Sequence, residues 1–132
     1  DRRRHDLAPG LPPAGTRPFG PAPQRPLLDA ALLDEGERVF AVSCAVCHGF
    51  VGDGDSVVAR HMTLVPPADL HTPRLRAASF EHVYDVVTDG YGAMRGYAAS
   101  LTVRQRTAVA HYVKALQLAR HAPRDDAPRA AP

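Results

Sequence analysis

Cys44-Ala45-Val46-Cys47-His48 contains both cysteines of this chain, and Cys-x-x-Cys-His is the pattern of covalent c-type haem attachment. The spacing suits that chemistry. Two thiols about one helical turn apart can each add to a haem vinyl group, while the adjoining imidazole reaches the iron. Covalent tether and first axial ligand therefore come from one pentapeptide, and a large apolar cofactor supplies core that a short polypeptide cannot.

Rival uses of the same residues each lack something. A two-cysteine, two-histidine zinc site wants a second histidine three to five residues beyond the first, but here His61 is followed by His71. A thioredoxin-like dithiol wants strand, helix and strand around it, and no convincing period-two alternation lies nearby. A plain disulfide leaves the histidine directly after Cys47 unexplained.

At 132 residues the chain supports one small domain. It has no Trp and only 6% aromatic residues, so the haem-free polypeptide is expected to be largely unfolded. The formal charge of +2 makes no case for nucleic acid as a partner. No run approaches the roughly 20 apolar residues of a membrane span, and no apolar export signal opens the chain. Because haem attachment of this kind occurs outside the cytoplasm, the sequence is read as a mature chain whose signal was removed.

Three regions follow from composition. Residues 1–28 read as a proline-rich arm, with Pro9, Pro12, Pro13, Pro18, Pro21, Pro23 and Pro26 excluding a helix. Residues 1–26 carry five Arg against two Asp, whereas residues 27–122 hold nine Lys/Arg against ten Asp/Glu. The arm is either an extended strap or a linker; fully stretched it spans roughly 80 Å. Residues 29–121 form the haem domain, and residues 122–132 a frayed tail.

Within the domain, Leu32, Leu33, Gly36, Val39 and Phe40 mark a helix before the haem motif, with Asp29 or Asp34 placed to cap it. Gly36 and Phe40 lie four apart, which predicts close approach of a second helix. Its partner opens at Thr102-Val103-Arg104-Gln105, a capping-box pattern, and runs to Arg120 with Val109, Tyr112, Val113 and Leu116 on one face. A shorter helix spans Phe80 to about Asp89, stopped by Gly90. Residues 49–78 read as loop, with a brief helical turn at Thr72-Pro73.

The second iron ligand decides whether the metal carries electrons or meets a substrate. Met94, between the glycines of Gly90-Tyr91-Gly92-Ala93-Met94-Arg95-Gly96, is the favoured thioether; Met62 and the histidines His61, His71, His82 and His111 are the alternatives, with His111 expected to face outward. Pro66 or Pro67 is expected to offer a carbonyl to the second ring nitrogen of His48. Arg60, Arg74 and Arg76 are candidate partners for the haem propionates.

The order of these parts, a helix with Gly36 and Phe40, Cys44-Ala-Val-Cys47-His48-Gly49, a Met94 loop and a final helix with Tyr112, resembles class I cytochromes c over about residues 29–121. The resemblance implies a small all-α fold whose first and last helices cross, one covalent haem c bound at Cys44, Cys47, His48 and Met94, and His48 and Met94 as the iron ligands. Gly52-Asp-Gly-Asp55, Pro66-Pro-Ala-Asp-Leu-His-Thr-Pro-Arg-Leu-Arg76, Val87-Thr-Asp-Gly-Tyr-Gly-Ala-Met94 and Tyr112-Val-Lys-Ala-Leu-Gln-Leu118 look more narrowly like the monohaem subunit of bacterial alternative complex III. That likeness implies a non-enzymatic one-electron carrier at the periplasmic face of a quinol-oxidising respiratory membrane complex. Its partners would be the other subunits, including a multihaem cytochrome, and an acceptor cytochrome or terminal oxidase. A free or tethered carrier serving another oxidase or dehydrogenase is the second expectation. A haem sensor or enzyme with an open distal site is the third.

Overall fold

The computed structural model describes residues 26–123, so nearly all of the proline-rich arm and most of the C-terminal tail lie outside the described residues. Helix α1, Ala30–Val39, starts where Asp29 Oδ1 accepts from the Leu32 amide at 2.7 Å. That bond satisfies one of the amides a helix start leaves without a partner. A π-helical turn, Phe40–Cys44, and a short helix α2, Ala45–His48, continue the same path. Then follow α3 (Val57–His61), α4 (Pro73–Ala77), α5 (Phe80–Asp89), a two-stranded antiparallel hairpin of β1 (Gly90–Tyr91) and β2 (Met94–Arg95), and α6 (Val103–His121). The architecture is all-α apart from that hairpin.

The crossing of α1 and α6 organises the domain. A methyl group on Gly36 would come within 2.7 Å of the Ala108 carbonyl carbon and 2.9 Å of Tyr112 Cβ. The two backbones therefore touch at a point where any side chain would intrude. The facing stretch of α6, Thr107-Ala108-Val109-Ala110, is fully buried and built from small residues. One turn along α1, Phe40 tilts against Tyr112 with ring centroids 5.4 Å apart. Around Phe40 gather Ala45, Val87, Val109 and Val113, bordered by Cys44, Leu70, Val83, Tyr97 and Leu116.

Helix α6 begins with the reciprocal cap its sequence announces. Thr102 Oγ1 accepts from the Gln105 amide at 3.1 Å, and the Gln105 side chain accepts from the Thr102 amide at 2.9 Å. Two arginines near this start face an unfavourable helix dipole, and tertiary contacts compensate both. Arg104 pairs with Glu35 of α1 at 2.7 Å, and the buried Arg106 lies over the Tyr84 ring at 5.7 Å. Helix α5 is capped by Ser79 and packs on α6, with Phe80 stacked on His111 at 4.2 Å. His111 is thus half-buried rather than turned outward, because its ring completes the α5–α6 contact.

Two elements form in stretches expected as loop, one within residues 49–78 and one around Met94. Helix α3 forms because Ser56 Oγ accepts from the Ala59 amide at 2.9 Å while donating to the Cys47 carbonyl at 2.9 Å. One hydroxyl both starts the helix and ties it to the cysteine segment; a single turn carries too little periodicity to announce itself. The hairpin arises from Gly92, whose φ of +56° opens a two-residue Gly92-Ala93 loop, as a type II′ turn requires.

Candidate haem site

The site is built on one continuous stretch of chain, with Cys44 ending the π turn and Cys47 and His48 on the short helix after it. π turns are uncommon and concentrate at functional positions. Here it lies between the residues that pack on α6 and the residues that carry the sulfurs.

His48 is oriented by the main chain. Its Nδ1 lies 2.9 Å from the Ala68 carbonyl oxygen. A carbonyl only accepts, so Nδ1 carries the proton and donates, and Nε2 is left with a free lone pair for a metal. The accepting carbonyl is Ala68, not Pro66 or Pro67 as the proline pair led one to expect. The two prolines stiffen the approach, and the contact falls on the next residue. Its placement depends on two turns read before only as loop glycines. Gly52 and Gly54 have φ of +74° and +78°, and they fold residues 49–55 beneath residues 67–70. Leu70 donates its amide to the Gly52 carbonyl and Gly54 to the His48 carbonyl, both at 2.8 Å. A Cβ on Gly54 would press on the Asp69 amide nitrogen at 3.2 Å.

The same segment is fastened from the far side by α6. Gln117 Nε2 donates to the Leu70 carbonyl at 2.7 Å and the Leu75 carbonyl at 3.2 Å. Lys114 Nζ donates to the carbonyls of Arg76 and Ala78 at 3.0 and 2.8 Å. Lys114 thus satisfies carbonyls at the end of α4 that the helix itself leaves unpaired, while Gln117 ties Leu70, ahead of α4, to Leu75 within it. The last helix thereby supports the loop that orients His48.

The donor chemistry separates haem from its rivals. Cys44 and Cys47 form no disulfide. Burial, with the neighbouring Cys47 adding to it, pushes the Cys44 thiol up to about 12, whereas reactive dithiols have depressed values. Among the described residues no three His, Cys, Asp or Glu side chains are grouped to hold a metal ion. What remains is two thiols beside an imidazole with its lone pair exposed, in a surface rich in apolar side chains. Val42, Val46, Phe50, Val57 and Leu64 are all exposed, Leu64 at 92%. Exposed apolar side chains at this density in the segment of chain that carries and follows the two sulfurs fit a macrocycle that is apolar on both faces.

The candidate second ligands separate by position. Met94 is half-buried on β2, paired with Tyr91 across the hairpin. Met62 is exposed at the end of α3, next to the exposed His61. His71 is buried with its Nε2 donating to the Val51 carbonyl at 2.7 Å, so it serves as a strap between loops. His111 is stacked on Phe80, and His82 is half-buried on α5. Arg60 pairs with Asp55 at 2.9 Å, Arg76 donates from Nε to the His71 carbonyl at 3.1 Å, and Arg74 is exposed. Tyr97, at the end of the glycine-rich stretch that carries Met94 and given no role by the sequence, donates its hydroxyl to the Ser43 carbonyl at 3.2 Å.

Comparison with known proteins agrees with this geometry. Residues 31–113 match the family described as cytochrome C oxidase, cbb3-type, subunit III. Cytochrome c6 of Cladophora glomerata is 36% identical over 86 residues, covering 65% of this chain and 90% of the relative. Among solved structures, a chain of the reducing HAO-like protein complex of Kuenenia stuttgartiensis superposes with a TM-score of 0.58 at 26% identity. That likeness covers 67% of this chain but only 44% of the other. With well over half of its length matched and its helices crossing at Gly36, the chain belongs to the cytochrome c family of the cbb3-type subunit III description, electron carriers of class I fold that hold haem c covalently.

Proposed function

We propose that this protein carries one electron at a time through a single haem c, linked by thioethers to Cys44 and Cys47, with His48 Nε2 and the Met94 sulfur as axial ligands. The observation that carries this reading is the 2.9 Å bond from His48 Nδ1 to Ala68, since it protonates one ring nitrogen and frees the other. When bound, the haem supplies one reversible electron. His48 and Met94 would hold the iron from the polypeptide, so little geometry would have to change on transfer. Ala68 fixes the imidazole plane and makes the ligand more basic. A thioether from Met94 favours the reduced state relative to a second imidazole. No side chain serves as acid, base or nucleophile.

The working place of this carrier is read as the periplasmic face of a quinol-oxidising membrane complex of the alternative complex III type, taking electrons from a multihaem subunit and passing them to an acceptor cytochrome or terminal oxidase. The segments Gly52–Asp55, Pro66–Arg76, Val87–Met94 and Tyr112–Leu118 support that assignment. The likeness to cytochrome c6, nine tenths of whose length this domain spans, favours a second reading as a free or tethered carrier. Solubilising membranes of the native host gently and purifying the cytochrome distinguishes them. Co-purification with large membrane subunits is expected, and a cytochrome that elutes alone under every mild condition would favour the free carrier.

Axial ligation has its own test. The ferric holoprotein should show the weak red charge-transfer band of sulfur bound to iron, and the ferrous form should resist carbon monoxide. Met94→Ala should abolish the band, lower the reduction potential and admit carbon monoxide at once. Immediate carbon monoxide binding by the unmutated protein would instead indicate an open site, and with it a sensor or an enzyme.

A further inference from the structure

Met94 and the haem-attachment segment are far apart in sequence, and the hairpin that presents Met94 is fastened mainly to α5. Gly90 and Gly96 let it lie flat there: a Cβ on Gly96 would come within 2.7 Å of the Asp89 carbonyl carbon. The Tyr97 amide donates to the Val87 carbonyl at 2.8 Å, and that of Ala98 to the Thr88 carbonyl at 3.2 Å. These bonds set the height of the hairpin over α5. They leave its relation to Cys44 and His48 to another contact.

We propose that Tyr97 is the positioning residue that locks the Met94 hairpin onto the attachment segment, through the hydrogen bond from its hydroxyl to the Ser43 carbonyl. This rests on the reading of Met94 as an iron ligand. The bond, 3.2 Å long, joins residues 54 positions apart and ends directly before Cys44. Tyr97 lies three positions after Met94, so a fixed ring restricts the reach of the sulfur. The ring is itself constrained: it packs against the core beside Cys44, and the Arg95 guanidinium lies over it at 5.7 Å. A cation over an aromatic face adds a modest attraction, which also turns Arg95 back from the hairpin. Burial pushes the phenol up despite the opposing pull of Arg95, so the group stays a proton donor. The acceptor suits its task. It is a main-chain carbonyl at the π turn, so its position follows the attachment helix rather than a mobile side chain.

Tyr97→Phe in the holoprotein keeps the packed ring and removes only the donor. The readout is the displacement of the sulfur from ferric iron by added imidazole, followed by loss of the red charge-transfer band. Tyr97→Phe is expected to take up imidazole about fivefold more tightly, the factor that one ordinary hydrogen bond contributes, and its ferrous form should bind carbon monoxide correspondingly faster. Ser43→Ala retains the accepting carbonyl and should match the unmutated protein in both measurements. The assignment falls if Tyr97→Phe binds imidazole as the unmutated protein does, even where its melting temperature drops, because that pattern marks a purely structural bond. It falls equally if Ser43→Ala shifts as far as Tyr97→Phe, which would mean general loosening. Should the unmutated ferric protein show no sulfur band at all, the Met94 reading itself fails and takes this one with it; a normal band with an unmoved Tyr97→Phe overturns the anchor alone.

Discussion

Replacing Cys44 and Cys47 together by serine should yield a chain with no added haem mass and little helical circular dichroism. The reason lies in how little the polypeptide buries by itself. Among the described residues the buried apolar set is Leu32, Phe40, Ala45, Tyr84, Val87, Ala108, Val109, Ala110 and Val113, three of them alanines. Meanwhile eleven large apolar side chains among the described residues stay exposed, most of them between Val42 and Val65, the stretch of chain that holds both cysteines. At about 25 cal/mol per Å² of apolar surface removed from water, a core of that size stabilises a small domain only weakly. Ordering each residue costs roughly 1–2 kcal/mol of backbone entropy. A covalently held apolar macrocycle removes surface from both sides of the balance, burying its own faces and the valines and leucines beside it. The measurement is intact mass together with circular dichroism and a melting scan. A double-serine chain with native helicity and a sharp transition would show that the polypeptide core suffices.

Gly36→Val should be the most damaging single substitution away from the ligands. In an exposed helix, replacing glycine by alanine gains about 1 kcal/mol from backbone entropy. At this position that gain is opposed by direct intrusion on the Ala108 carbonyl and on Tyr112 Cβ. Backbone cannot step aside as a flexible side chain can, so α1 and α6 must separate. Separation then uncovers Phe40, Val109 and the facing alanines. Overpacking of a tight core costs about 1–3 kcal/mol, and here lost burial at the same crossing adds to it. A fall of about 10–20 °C in the melting temperature of the holoprotein is expected, at about 4–8 °C per kcal/mol for a small domain. Gly36→Ala should fall by less, since its smaller intrusion is partly offset by helix propensity. If Gly36→Val melts with the unmutated protein, the crossing is not the contact that holds the domain together.

Both expectations draw on features of different legibility. The first and last helices are periodic and locally capped, so the Thr102–Gln105 box announces the start of α6, Gly36 with Phe40 announces a crossing, and only the choice of Asp29 over Asp34 as the first cap waited for the structure. Helix α5 lies where its apolar repeat and Gly90 indicate, Phe80–Asp89. The single turn of α3 was hidden because five residues hold no full repeat, although Ser56 stood at its cap. The hairpin was hidden because its strands are two residues each. In both, the stabilising groups are one side chain or one glycine, which composition blends into loop.

The local pentapeptide is enough to propose the covalent chemistry, because thiol spacing and the adjoining imidazole are properties of neighbouring residues. Which carbonyl meets His48, by contrast, depends on how two glycine turns bring together segments 20 positions apart. The difference between Ala68 and the prolines before it is one residue of chain path, beyond what any local pattern records. The partnering of Tyr97 with Ser43 and of Gln117 with Leu70 is likewise invisible along the chain, since each bond joins groups with no common motif. Short-range preferences determine where helices begin and which atoms react. The orientation of those atoms arises only once packing has fixed which distant carbonyls and rings are close enough to hold them.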